Sequence, residues 1–101
     1  MGPWIVPADQ VPEPHALRVT LRRNGETLQD APTDLMIFRI PRIIEFISER
    51  VTLRPGDLIA TGTPGGVGKA RGIRLLPGDV IETEVSGVGM LRNRVAAAPP
   101  G

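Results

Sequence analysis

The chain has 101 residues, enough for one small domain, and its 12 basic and 11 acidic side chains nearly cancel. No basic patch forms, and only Trp4, Phe38 and Phe46 are available to stack on bases, which argues against nucleic acid as a partner. The absence of cysteine excludes disulfides, cysteine–zinc sites and thiol catalysis and suits a reducing, cytoplasmic location. Met1 to Trp4 lacks the basic-then-apolar pattern of a signal peptide, and no run approaches the ~18 apolar residues of a membrane span, so no membrane partner is expected.

Residues 1–16 are punctuated by Pro3, Pro7, Pro12 and Pro14, each of which removes a backbone donor, so they read as extended connection. Residues 17–21 alternate Leu17, Val19 and Leu21 with Arg18 and Thr20, the pattern of a half-buried strand. Asn24-Gly25 follows as a hairpin turn, because both residues tolerate positive φ, and residues 26–29 form the return strand. Ile40, Ile43, Ile44, Ile47 and Val51 recur at helical spacing, with Pro41 in the first turn, and predict a helix packed on a sheet. The segment 53–61 is echoed by 75–83: each opens on a Pro-Gly type II turn and an aspartate, Asp57 or Asp79, and runs into β-rich residues. The echo predicts two strands entering one sheet by the same turn. Residues 85–95 add a pair of β segments around Gly87-Val88-Gly89, and residues 96–101 form a frayed, disordered tail.

The chemistry concentrates in the small-residue run from Gly56 to Gly68, where Thr61 and Thr63 present hydroxyls among glycine amides. It is not a nucleotide loop. Gly62 and Gly68-Lys69 are separated by five residues where a Walker A loop has four, Ala70 stands where Ser or Thr is required, and Arg71 replaces the last glycine of a dinucleotide fingerprint. Two readings remain: a tight turn that needs small residues, or a loop whose Thr61 or Thr63 hydroxyl and nearby amides bind a small carboxylate or carbonyl. Glu82 and Glu84 share one strand face but lack a third acidic partner, so they read as a solvated face rather than a cation site. Asp57 and Asp79 read as turn residues bonded to nearby backbone. His15, the one histidine, sits in proline-rich connection without an orienting partner and reads as a surface residue; no serine lies in a nucleophile elbow. By residue chemistry alone, the chain has a candidate binding loop and no catalytic apparatus.

Residues 2–95 resemble the C-terminal part of the fumarylacetoacetate hydrolase family. The matching segments keep the family order: Gly2-Pro3-Trp4-Ile5-Val6, Asn24-Gly25-Glu26, Asp34-Leu35-Met36-Ile37-Phe38, then residues 53–68 with Thr61-Gly62-Thr63-Pro64-Gly65-Gly66-Val67-Gly68, Pro77-Gly78-Asp79-Val80-Ile81-Glu82, and residues 87–95. The resemblance implies a mainly β fold with one helix (α+β), part of a mixed β-sandwich roll that usually dimerises. It implies activity on small oxo-acids, as in the breakdown of aromatic compounds, by C–C hydrolysis, isomerisation, hydration or decarboxylation. It also implies a Mg²⁺ or Mn²⁺ ion that polarises the substrate carbonyl as a Lewis acid.

Carried over residue by residue, the resemblance makes Thr63 a substrate contact, with Thr61, Gly62 and Pro64 shaping its loop. It assigns no catalytic residue and no metal ligand to this chain. The family's Glu-x-Glu pair, its metal-binding aspartate, its lysine segment and its catalytic His and Glu all lie upstream of the matching region. Glu82-Thr83-Glu84 aligns with a downstream strand, and His15 does not align with the catalytic histidine. Residues 1–95 therefore read as the distal portion of a catalytic domain, inactive alone as a truncated or split-gene product. The alternatives are half of an enzyme completed by another chain that supplies the metal site, and a non-catalytic module that binds small acids. The expected partners are a small oxo-acid and either a second copy of the chain or a complementing N-terminal segment.

Overall fold

The computed structural model describes residues 1–66 and 72–99. Val67 and Gly68 of the glycine-rich run, Lys69 to Arg71, and the last two residues of the 96–101 tail lie outside the described residues. Four strands, β1 (Arg18–Arg23), β2 (Glu26–Pro32), β3 (Val80–Val85) and β4 (Gly89–Arg94), form one antiparallel sheet in the order β2-β1-β3-β4. One helix, α1 (Ile40–Ser48), and two single 3-10 turns, Ala8–Gln10 and Thr33–Leu35, complete the regular structure of the described residues. The chain is thus mainly β with one helix, as expected, with one sheet among the described residues.

Local chemistry accounts for the strands. Asn24 and Gly25 both take positive φ, 51° and 82°, which gives the hairpin the twist that its two strands share. The return strand runs to Pro32, three residues beyond the expected end, because Val19 and Thr20 pair with Ala31 and Asp30. Its register slips at Leu28: Leu21 faces Gln29 while Arg22 faces Thr27, so Leu28 is the extra residue of a bulge. Leu28 and Ala31 are the two buried hydrophobic residues among those described.

Asn24 also fixes the start of β3. Its backbone N–H donates to the Val80 carbonyl at 2.9 Å, its Nδ2 donates to Asp79 Oδ1 at 2.9 Å, and its Oδ1 accepts from the Val80 N–H at 2.8 Å. Asp79 Oδ2 meanwhile accepts from the Leu76 N–H at 2.9 Å, closing the Pro77-Gly78 turn. The first echo is built alike. Gly56 and Gly78 both have φ of 94°, as a type II turn requires, and Asp57 Oδ2 accepts from the Arg54 N–H at 2.8 Å.

The sequels of the two turns differ, and the expectation of two strands is overturned. Residues 80–85 pair with β1 and β4, whereas residues 58–61 join no strand ladder, and Leu58 is exposed. The outer edges of β2 and β4 stay open, and the chain after Asp57 meets β2 through residues 63–66, by side-chain and close-approach contacts instead of a ladder.

The helix begins where expected, with Pro41 in its first turn, and ends at Ser48, before Val51. Arg42 pairs with Glu45 at 3.1 Å, and the Arg50 guanidinium lies 3.8 Å from the centroid of the Phe46 ring. The expectation that α1 lies on the sheet is not met. Ile40, Ile43 and Ile47 are only half-buried, while Ile44, Phe46 and Val51 are exposed. At the other end of the chain, Trp4 docks on the β3–β4 turn, where its Nε1 donates to the Val88 carbonyl at 2.7 Å.

The radius of gyration is 15.9 Å, against about 13 Å for a compact domain of this length. Ile37 is 91% exposed and Phe38 64%, so the chain carries apolar surface that a self-sufficient domain would bury. We predict that the purified 101-residue chain self-associates and binds a hydrophobic dye, checked by light scattering and dye fluorescence. A monodisperse monomer that unfolds cooperatively would contradict this. A second expectation concerns Asp79, whose carboxyl lies below the ordinary aspartate value, chiefly because it accepts the Leu76 N–H and secondly the Asn24 amide. A lowered folded-state value means that its stabilisation is complete above the ordinary value and is lost as pH falls through the lowered one. NMR titration of the carboxyl carbon reads that midpoint directly, and Asp79→Asn is expected to remove this step from the acid limb of stability.

Candidate functional site

The site forms where the unpaired segment meets β2. Thr61, Gly62, Thr63 and Pro64 line a concavity of about 420 Å³ together with Val19, Ala31, Thr33 and the stretch from Leu35 to Phe38, with Ile43 of α1 at its edge. The four residues singled out from the sequence therefore sit on one wall. Met36, Ile37 and Phe38, which lie between the 3-10 turn and α1, also line the concavity.

Two contacts hold the loop against the strand. The first is Gln29, whose Nε2 donates to Thr63 Oγ1 at 3.0 Å, to the Pro64 carbonyl at 2.8 Å and to the Gly65 carbonyl at 3.3 Å. The second is a close approach at Gly66, where φ is 99° and a Cβ would collide with the Leu28 carbonyl oxygen. Only glycine fits there, since both the backbone conformation and the space exclude a side chain. The bulge at Leu28 places that carbonyl under the loop and sets Gln29, the next residue, beside Thr63.

Sequence reasoning missed Gln29. It lies in the expected return strand, but a period-two reading carried through Leu28 gives its face wrongly once the register slips. Thr33 was missed as well. Its Oγ1 accepts from the Leu17 N–H at 3.0 Å and donates to the Pro14 carbonyl at 2.8 Å, which ties the proline-rich connection to the rim of the concavity.

The donor set of the concavity does not fit a divalent cation. Its polar side chains are threonines and it has no carboxylate, whereas Mg²⁺ and Mn²⁺ sites draw on carboxylate oxygens. Among the described residues no group of three His, Cys, Asp or Glu side chains gathers to hold a metal. Glu82 and Glu84 cannot contribute, because paired residues of an antiparallel sheet share a face. Val19, Ala31 and Val85 lie on the face of the concavity; Thr20 with Glu84, and Arg22 and Arg92 with Glu82, lie on the other. That second face is half-buried along β3 rather than freely solvated. It also carries Asp30, whose carboxyl is lowered, first through its hydrogen bond from Arg18 at 2.6 Å.

His15 corrects another expectation. The residue is half-buried: both ring nitrogens are shielded from solvent and have no hydrogen-bond partner, so the ring is not the freely solvated one expected. No helix among the described residues is long and apolar enough to cross a membrane.

The fumarylacetoacetate (FAA) hydrolase C-terminal profile matches residues 1–96. A 4-hydroxyphenylacetate degradation bifunctional isomerase/decarboxylase of Salmonella dublin is 44% identical over 95 residues, covering 94% of this chain and 21% of its own length. A 2,4-didehydro-3-deoxy-L-rhamnonate hydrolase of Sphingomonas sp. (strain SKA58) is 42% identical over 99 residues, covering 95% of this chain and 35% of its own length. The crystal structure of maleylpyruvate hydrolase from Sphingobium sp. SYK-6 in complex with manganese(II) ion and pyruvate superposes with a TM-score of 0.86 at 40% identity, over 94% of this chain and 34% of that one. The chain thus spans roughly a fifth to a third of the length of these relatives. With its fold, its paired Pro-Gly-Asp turns and its threonine loop all inside the matched region, the chain belongs to the fumarylacetoacetate hydrolase family.

Proposed function

We propose that this chain supplies one wall of a site for small oxo-acids, in an enzyme of the hydrolase, isomerase or decarboxylase kind that its relatives represent. The observation that carries the reading is the Thr63 loop, anchored by Gln29 over an otherwise apolar concavity. A short oxo-acid has a charged, oxygen-rich end and a small carbon skeleton. The Thr61 and Thr63 hydroxyls and the loop amides suit the first; Met36, Ile37 and Phe38 suit the second. Pyruvate, bound in the maleylpyruvate hydrolase structure together with manganese, has this chemistry.

The chain's own part in such a reaction is binding and orientation. The Mg²⁺ or Mn²⁺ that the family resemblance implies needs carboxylate ligands that the described residues do not bring together, and they provide no acid–base pair at the concavity. Catalysis on this reading requires a complementing polypeptide segment that carries those groups, docked over the exposed side chains of Ile37 and Phe38. A second copy of the chain repeats the same wall and adds no ligand set.

Two outcomes test the reading. Pyruvate is expected to bind the chain weakly, and Thr63→Val to weaken it about tenfold or more, since a hydrogen bond to a charged group is worth about 1.5–3 kcal/mol. Isothermal titration or ligand-observed NMR measures this. With Mn²⁺ added, the chain alone is expected to give no turnover of an acylpyruvate, followed by loss of its enol absorbance. Metal-dependent turnover by the chain alone would overturn the assignment of a single wall.

A further inference from the structure

We infer that Gln29 sets the polarity of the Thr63 hydroxyl, and so makes this site select a hydrogen-bond acceptor. The inference rests on the oxo-acid reading for its ligand but not for its geometry. A glutamine amide has a donor end and an acceptor end, and its neighbours decide which end faces them. Here the Pro64 and Gly65 carbonyls lie 2.8 and 3.3 Å from the amide nitrogen. Carbonyl oxygens only accept, so the NH₂ end must face the loop; the reversed amide would set oxygen against two oxygens. The amide has two N–H groups for three acceptors. The Pro64 carbonyl and Thr63 Oγ1, at 2.8 and 3.0 Å, take them, and the Gly65 carbonyl at 3.3 Å is a weaker shared contact. An amide nitrogen does not accept, so Thr63 Oγ1 is the acceptor.

A hydroxyl that accepts from one side keeps its own proton for another. With Gln29 on the strand side, the Thr63 proton is free for the concavity that Thr63 lines. A carboxylate or keto oxygen satisfies it; an ammonium, which has no lone pair, does not. Gln29 is therefore a positioning residue that acts through Thr63 without lining the concavity itself. Its own place is fixed twice over, by pairing with Leu21 and by the bulge at Leu28.

The test uses the 101-residue chain in the assembly it forms in solution, with pyruvate as the probe. Gln29→Met removes the donor at similar length, and Gln29→Glu replaces it by an acceptor of the same shape. Each is expected to lower pyruvate affinity about tenfold, with the β3 and β4 amide resonances unchanged as evidence of an intact sheet. The decisive readout is coupling. If Gln29 acts through the Thr63 hydroxyl, the Gln29→Met/Thr63→Val double variant is no worse than Thr63→Val alone. If it only braces the loop, the two losses add, and the inference is overturned.

An independent readout separates this inference from the oxo-acid reading. Gln29 side-chain amide protons should show nuclear Overhauser contacts to Thr63 and slowed exchange with water, with or without pyruvate. If those signals are present but pyruvate does not bind, the oxo-acid reading fails and the Gln29 geometry stands. A freely exchanging amide without contact to Thr63 overturns the Gln29 inference, whatever pyruvate does.

Discussion

The site depends on one side-chain amide. Gln29 is the only hydrogen-bonding side chain on β2 that reaches the loop at residues 63–65, among the described residues. Without it, a segment of small residues with no strand partner would have little to order it, since its backbone forms no ladder. The amide works because of a local irregularity. An extra residue at Leu28 bends the strand, places a carbonyl under Gly66 and sets Gln29 beside Thr63. The bulge, the glycine and the glutamine form one device, and each has little purpose without the other two.

The sheet separates two kinds of chemistry. The face toward the concavity carries Val19 and Ala31, and the loop above it adds threonine hydroxyls. The opposite face carries Asp30, Glu82 and Glu84 among Arg18, Arg22 and Arg92, with charges of opposite sign in register across the strands. Such cross-strand pairs support the sheet, and the sheet itself keeps them away from the concavity. The acidic pair that looks most like a metal site in the sequence is thus walled off from the loop that looks most like a ligand site. A relative of about three times the length was crystallised in complex with manganese and pyruvate; the described residues here present the threonine loop and gather no carboxylate cluster.

Much of the architecture was legible in the sequence because it is written in short-range chemistry. Asn24-Gly25 needs positive φ at two residues, Pro-Gly-Asp closes its own turn, and Pro41 opens a helix; each works within a few residues. The candidate loop was legible for the same reason, since Thr61, Gly62, Thr63 and Pro64 are contiguous. What escaped was long-range. Whether residues 58–61 become a strand depends on whether a partner strand lies beside them, and the two nearly identical turns at Pro55 and Pro77 lead to different fates. Gln29 and Thr63 are 34 residues apart, and nothing near either one announces the other. The shielded ring of His15 likewise follows from packing that the local sequence does not encode.

The most direct test is to map pyruvate and Mn²⁺ on the isotope-labelled chain by NMR, one after the other. The account predicts that pyruvate shifts the resonances of Thr61, Gly62, Thr63 and Phe38 and leaves Glu82 and Glu84 untouched. It predicts that Mn²⁺ does not broaden the threonine loop selectively, with or without pyruvate. Pyruvate shifts centred on the Glu82–Glu84 face, or selective broadening of Thr63 by Mn²⁺, would contradict it.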